Sequence, residues 1–311
     1  MGEMRAGGER RHAMKQAGAK MEPHVTPTRV PLQNILYATD FSKPSTAALP
    51  YALSIARKYE STLFVVHVVS ISPFPQSSPT IALQAITDQA VREAKSAAKE
   101  LRPQLEGIPH EILLRTGDIW KEIGALVAEK RIDLVVVGTH GRTRVSKVLM
   151  GSVAEKIFRH ASCPVLTVGP NVCGEPDSIV DLHNILCPTD FSDESLAAIP
   201  YAVSLAQEDQ ARLYLLHVTE NASDKAGEAA LTARLAHLIP PGSDLSCQPK
   251  AYVDSGSAPE QILSLAEELA VDLIVLGVKR TPRIPGGARL AMATSYKVVT
   301  EALCPVLTVR G

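Results

Sequence analysis

The sequence predicts an α/β protein made of two tandem domains, each a doubly wound, five-stranded parallel sheet covered by helices. One observation behind this is a long internal repeat. Asn34-Ile35-Leu36-Tyr37-Ala38-Thr39-Asp40-Phe41-Ser42 returns as Asn184-Ile185-Leu186-Cys187-Pro188-Thr189-Asp190-Phe191-Ser192. Pro50-Tyr51 and Pro200-Tyr201, His67-Val68 and His217-Val218, and the closing Cys163-Pro164-Val165-Leu166 and Cys304-Pro305-Val306-Leu307 follow in the same order. A period this long duplicates a whole domain instead of building a solenoid. The second observation is that short apolar runs, several of them Val-rich and apolar on both faces, alternate with helical stripes. That pattern suits parallel strands buried between helix layers.

Taken in order, Ile35–Thr39, Leu63–Val69, Glu111–Arg115, Leu134–Gly138 and Val165–Val168 read as the strands of the first half. Ala48, Ala52, Ile55 and Tyr59 recur at helical spacing between the first two. Residues 82–105 give a second helix, the stripe Ile119, Ile123, Leu126 and Val127 a third, and residues 146–161 a fourth. The second half repeats the scheme with a shorter second helix, and Ile262, Leu265, Ala266 and Leu269 match the third. Pro50 and Pro200 fall inside the first helical pattern of each half, where proline should kink or delay the helix. Residues 1–31 are expected to be a disordered tail, 32–169 the first domain, 170–182 a linker and 183–311 the second domain. Met14 and Met21 leave later starts open.

Two domains of about 140 residues fit the 311-residue chain, and each can bury a full core. A net charge of −1 gives no electrostatic case for nucleic acid or membrane as a partner. The five cysteines form no C-x-x-C pair and no metal-ligand spacing, so free thiols in a reducing cytoplasm are expected. Cys163 and Cys304 read as small core residues. No stretch has the length and apolarity of a signal peptide or membrane span.

The most specific local signal is Gly138-Thr139-His140-Gly141, then nine residues, then Gly151-Ser152. The first pair of glycines follows a buried strand, and the second introduces a helix. Glycine lets backbone approach a ligand, and a helix start offers N–H groups aimed at an anion. The Ser152 hydroxyl adds a donor, and Arg142, Arg144 and Lys147 add charge. The loop suits a polyphosphate, although it is neither a Walker P-loop nor a G-x-G-x-x-G fingerprint. Asp40 ends the first strand of the same half. If the first and fourth strands are neighbours, it faces this loop across the crevice at the strand carboxyl ends, where it can accept a ribose hydroxyl.

On these residues both halves resemble universal stress protein domains, over residues 32–311. The resemblance is carried by Ile-Leu-x-x-Thr-Asp-Phe-Ser, the His-Val end of the second strand, Asp-Leu-Val-Val-Val-Gly and Cys-Pro-Val-Leu. The first half is also similar to the family's ATP-binding branch through G-x2-G-x9-G-[ST]. The resemblance implies a Rossmann-like fold of the adenine nucleotide alpha hydrolase type. It places nucleotide contacts at Thr39, Asp40, Val68, Val137, Gly138, Gly141, Gly151, Ser152 and Val153. Mg²⁺ would arrive with the ATP, and no catalytic residue or metal ligand is assigned. Ala38 stands where proline is common in such domains, as Pro188 does in the second half. The resemblance also implies an intramolecular pseudo-dimer, docked face to face through Val165–Val168 and Val306–Val309, and leaves room for a homodimer.

The second half keeps Asp190, Val218 and Gly277, but Arg280 replaces the second glycine. Met292-Ala293 stand where Gly151-Ser152 stood, and Gly286-Gly287 are out of step. Its phosphate half therefore reads as lost, and Lys279, Arg280, Arg283 and Arg289 read as a solvated basic surface or a different anion site. The function expected is a cytoplasmic stress-response module that binds ATP in its first domain, with slow hydrolysis at most. A nucleotide-free scaffold is the alternative. An ATP-consuming enzyme of related fold would need a serine–glycine loop where Phe41-Ser42-Lys43-Pro44 stands. His67 and His217 read as structural, Asp133 and Asp272 as satisfying backbone at the start of the fourth strand, and Trp120 as packing. His140 reads as structural or as a phosphate contact, and Asp40 as a ribose acceptor or a helix cap.

Overall fold

A computed structural model describes residues 29–70, 80–139, 150–172, 180–222, 224–279 and 293–311. The first half runs β1 (Asn34–Ala38), α1 (Lys43–Thr46), α2 (Leu49–Tyr59), β2 (Thr62–Ser70), α3 (Thr80–Leu101), β3 (His110–Gly117), α4 (Ile119–Glu129), β4 (Leu134–Gly138), α5 (Ser152–His160) and β5 (Val165–Val168). The second runs β6 (Asn184–Pro188), α6 (Asp193–Leu196), α7 (Ile199–Asp209), β7 (Arg212–Thr219), α8 (Lys225–Ala236), β8 (Lys250–Ser255), α9 (Ala258–Glu268), β9 (Leu273–Val278), α10 (Ala293–Glu301) and β10 (Val306–Arg310). The expected alternation of strand and helix is present in both halves, and within each half the strands pair in parallel.

Pro50 and Pro200 split the first helix in two. A single turn, α1 or α6, is capped by Ser42 or Ser192. The chain then restarts as α2 or α7 with the proline in its first turn, where no backbone N–H is needed. The repeat extends to strained backbone: Phe41 and Phe191, Glu60 and Gln210, and Arg131 and Ala270 all have positive φ at matching places. Asp133 and Asp272 act differently from expectation. Each carboxylate accepts the N–H groups that open the neighbouring first strand, Gln33 and Asn34 (2.8 and 2.9 Å) or His183 and Asn184 (2.7 and 2.8 Å).

The two halves form one ten-stranded sheet in the order β3-β2-β1-β4-β5-β10-β9-β6-β7-β8. The expected last strands do meet, but edge to edge instead of face to face. β5 and β10 pair antiparallel with Leu166 opposite Leu307, and Thr167 and Thr308 hydroxyls add bonds to Val306 and Val165 carbonyls (3.0 and 3.2 Å). Strand edges are held by directional hydrogen bonds, so pairing them covers two edges that would otherwise recruit other chains. Each side of the sheet carries a core that runs across the joint. One includes Leu166, Val168, Leu307 and Val309; the other includes Phe158, Val165, Val298 and Val306. A fully buried side chain of this size contributes about 1.5–3 kcal/mol.

Helices α2 and α7 close the joint on one face. Ser54 Oγ and Lys58 Nζ donate to the Val180 carbonyl (2.6 and 3.1 Å), and Lys58 also pairs with Asp209 and Asp181. Val30 N–H and Tyr59 OH meet Ser204 Oγ (3.1 and 2.8 Å), and Arg29 pairs with Glu208 (2.8 Å). Burial pushes the Tyr59 phenol up, so it stays neutral. Positions 29–31 of the expected tail and 180–182 of the expected linker thus pack against the domains, with Val30 and Leu182 buried. The rest of the tail, and residues 173–179 with Cys173, lie outside the described residues. Cys163, Cys187 and Cys304 are buried free thiols and Cys247 is exposed. No described helix is long and apolar enough to cross a membrane.

Candidate functional site

In the first domain β1 lies between β2 and β4, so the strand order reverses at the β1–β4 boundary. Chains leave β1 and β4 toward opposite sides of the sheet, which opens a crevice beyond their carboxyl ends. A cavity of about 200 Å³ occupies it. Its inner wall is apolar: Ala38, Val66, Val68 and Val137 from the strands, Ile119 and Ile123 from α4. Its outer wall is polar, with Thr39, Asp40 and Ser45 on one side and Gly138, Thr139, Gly151 and Ser152 on the other.

Local hydrogen bonds fix the β1 side. Thr39 N–H continues the ladder to Val66 O (3.0 Å), while Thr39 Oγ1 receives Phe41 N–H (2.9 Å) and contacts Ser45 Oγ (2.9 Å). These bonds hold Phe41 in its left-handed conformation. Asp40 Oδ1 accepts the Ser42 N–H (3.0 Å), a turn of the kind aspartate makes readily. The cap of α1 is Ser42, so Asp40 does not cap that helix. His67 Nδ1 lies 2.9 Å from Thr39 O. Since a carbonyl can only accept, the imidazole carries its proton on Nδ1. Its ring packs on Phe41 at 4.9 Å, which agrees with a structural reading even though the ring also lines the cavity. Tyr37 OH, buried beneath, donates to Ser45 O (3.0 Å), and burial raises its pKa well above the ordinary phenol.

On the other side, Thr139 N–H bonds to Val168 O (2.9 Å) and Gly151 N–H to Thr139 O (2.7 Å), which ties the start of α5 to the end of β4. Gly151 is the N-cap in extended conformation and has no side chain to cover the first turn of α5. That turn is therefore an electropositive terminus beside Ser152. Farther along, Trp120 packs against the His160 ring at 5.7 Å, as its packing role required.

Of the nine residues expected at a nucleotide site, Thr39, Asp40, Val68, Val137, Gly138, Gly151, Ser152 and Val153 line this one cavity. Gly141 lies outside the described residues, as do His140, Arg142, Arg144 and Lys147. Sequence reading did not assign Ser45, Thr139, Ile119 or Ile123 to the site. The two isoleucines were legible only as a helix stripe, and Ser45 only through its partner Thr39.

The second domain repeats the β-strand side almost bond for bond. Thr189 Oγ1 contacts Ser195 Oγ (2.8 Å) and receives Phe191 N–H (3.0 Å), Asp190 accepts Ser192 N–H (3.0 Å), and His217 Nδ1 meets Thr189 O (2.8 Å). These bonds are architecture, because both copies keep them.

A family model described as the universal stress protein family matches residues 31–169 and again 182–310. This chain belongs to the universal stress protein family. A universal stress protein of Mycolicibacterium smegmatis is 26% identical over 293 residues, covering 89% of this chain and 96% of that protein. One of Methanocaldococcus jannaschii is 31% identical over 138 residues, covering 44% of this chain and 81% of that one. Among solved structures, a universal stress protein from Archaeoglobus fulgidus superposes with a TM-score of 0.69 at 20% identity. It covers 91% of this chain and 98% of the other, and shows a shared tandem fold. Universal stress proteins of this type share the α/β fold with a mainly parallel sheet described above.

Proposed function

We propose that the first domain binds ATP in the crevice between β1 and β4 and that the protein acts as a cytoplasmic stress-response regulatory module. The observation that carries this reading is the convergence of eight motif residues, from four separate segments of the chain, on one cavity at the point where strand order reverses. The apolar wall of Val66, Val68, Val137 and Ile123 suits a base. Asp40 is placed to accept a ribose hydroxyl. The open first turn of α5, with the Ser152 hydroxyl, suits the phosphates. Mg²⁺ would come with the nucleotide, as usual for a cation that keeps much of its water.

The described lining contains one carboxylate, Asp40, and one imidazole, His67, whose Nδ1 proton is committed to Thr39 O. This inventory supports binding, with hydrolysis slow at most. The test is calorimetric titration of the full chain with Mg-ATP, beside mass spectrometry of nucleotide retained through gentle purification. One ATP per chain is expected. Asp40→Ala should weaken ATP and ADP alike, by the roughly 1.5–3 kcal/mol typical of a hydrogen bond to a charged group. A 2′-deoxy nucleotide should lose less than ATP does in that variant. A chain that binds no nucleotide would leave the interaction-scaffold reading instead.

A further inference from the structure

The second domain builds a cavity of its own, about 290 Å³, at the carboxyl ends of β6 and β9. Its inner wall is again apolar, with Pro188, Leu216, Val218, Ile262 and Leu276. Its rim differs from the first. Asp190 stands where Asp40 stands, but Glu194 also lines the cavity, at the position Pro44 occupies in the first copy. The Glu194 backbone is fixed there: a Cβ on Gly277 would lie 2.0 Å from its carbonyl oxygen, and one on Gly311 would lie 2.7 Å from its Cα. Glycine at both positions leaves room for α6 to rest on the strand ends, and that contact sets Glu194 at the rim.

We infer that this second cavity binds a nucleoside carrying no polyphosphate, with the base in the apolar slot and the ribose diol on Asp190. This rests on the reading that the first cavity takes the nucleoside of ATP. Size favours a ligand of this kind, since the slot is at least as roomy as the first. Charge on the described part of the rim disfavours phosphate: among the described residues it holds two acidic residues, Asp190 and Glu194, and one cation, Lys279. Like charges brought together across a binding surface discriminate strongly. Asp190 is kept ionised. Burial works to raise its pKa, but hydrogen bonds from Ser192 and Ser195 outweigh that and hold it below the ordinary carboxylate value. The hydroxyl that Ser152 offers at the start of α5 has no counterpart at the start of α10, which begins at Ala293, although Thr294 and Ser295 of that helix line the cavity. Arg280, Arg283 and Arg289 lie outside the described residues, so the selection is put to direct test.

The experiment saturates the full chain with Mg-ATP and titrates it with adenosine by calorimetry. One adenosine per chain is expected to bind beyond the ATP. Asp190→Ala should weaken that event at least tenfold, and Asp40→Ala should leave it in place. Asp190→Asn keeps an acceptor for the Ser192 N–H and guards against a folding artefact; it should weaken adenosine as well. Glu194→Gln should improve AMP binding more than adenosine binding. The inference is overturned if the ATP-loaded chain takes up no adenosine. It is equally overturned if Asp40→Ala removes the uptake and Asp190→Ala does not, or if ATP fills the second cavity as readily as adenosine. Failure of the ATP reading looks different. No ATP would bind at all, and the same variants run with adenosine on the ligand-free chain would still decide the second site.

Discussion

Gly277→Ala separates packing from ligand binding at the glycine next to the end of β9. The added Cβ would meet Glu194 O at 2.0 Å, Ser195 Cα at 2.4 Å and Glu194 C at 2.6 Å, against an ordinary contact of 3.4–4 Å. All three atoms are backbone, so no side chain can swing aside, and α6 must retreat by more than about 1 Å. Retreat also pulls Ser195 Oγ from Thr189 Oγ1, now at 2.8 Å in a buried site. Overpacking of this kind costs about 1–3 kcal/mol, and a lost buried hydrogen bond adds about 1 kcal/mol, so a loss of about 3 kcal/mol is expected. Urea denaturation, read together with hydrogen exchange of β6 and β9, measures it. Gly242→Ala is the control. Its site is open and only its φ of +83° is strained, so about 1 kcal/mol is expected. A loss below about 0.5 kcal/mol from Gly277→Ala would refute the packing account.

In the first domain, Gly151→Met combined with Ser152→Ala copies the second half and should lower ATP affinity at least tenfold, about 1.4 kcal/mol, without unfolding the chain; calorimetry and thermal melting check both parts. Lys58→Met removes the cation beside Asp209, whose side chain is 3% exposed and retains the Leu182 N–H (3.0 Å). Leaving that carboxylate without its partner should cost about 3 kcal/mol, and Asp209→Asn clearly less, in a double-mutant denaturation series. Burial pushes the Cys163 thiol up to about 11 and Cys187 and Cys304 up to about 12. The unfolded chain ionises these thiols near pH 8.5, where the folded one keeps its protons. Stability should therefore be intact below that pH and fall as pH rises toward 11–12, by up to about 1.4 kcal/mol per unit for each thiol. Replacing the three with alanine should flatten this alkaline limb even as it lowers overall stability, and among the four described cysteines Cys247 should react first with a thiol reagent.

Much of the fold was legible because its signals are local. Short apolar runs, several of them rich in Val, located every strand of the first half to within two residues, and Pro50 and Pro200 announced the broken first helix. The motif residues that line the cavity were legible for the same reason: each ends a strand or opens a helix. What escaped depends on contacts between distant elements. Apolar periodicity reports that β5 and β10 are buried, not which edge each presents, so face-to-face docking was expected where edge pairing occurs. Asp133 was read as serving its own strand, but its carboxylate reaches across to Gln33 and Asn34. The second cavity was hidden because sequence comparison weighed the lost phosphate motif. Glu194 is set at the rim by the contact of α6 with Gly277 and Gly311, which no local sequence signal announces.

The antiparallel seam at β5 and β10 has a consequence for how the two copies could diverge. All strands of one half run opposite to those of the other, so the carboxyl ends that carry the two cavities open at opposite margins of the sheet. Among the described residues each pocket is lined by its own copy alone. Each is nonetheless held permanently against a partner of fixed identity, one to one, at any concentration. A duplicate in that position supports the fold through the strand seam and the helix contacts beside it, which leaves its pocket free to acquire a different specificity while the other copy retains the original.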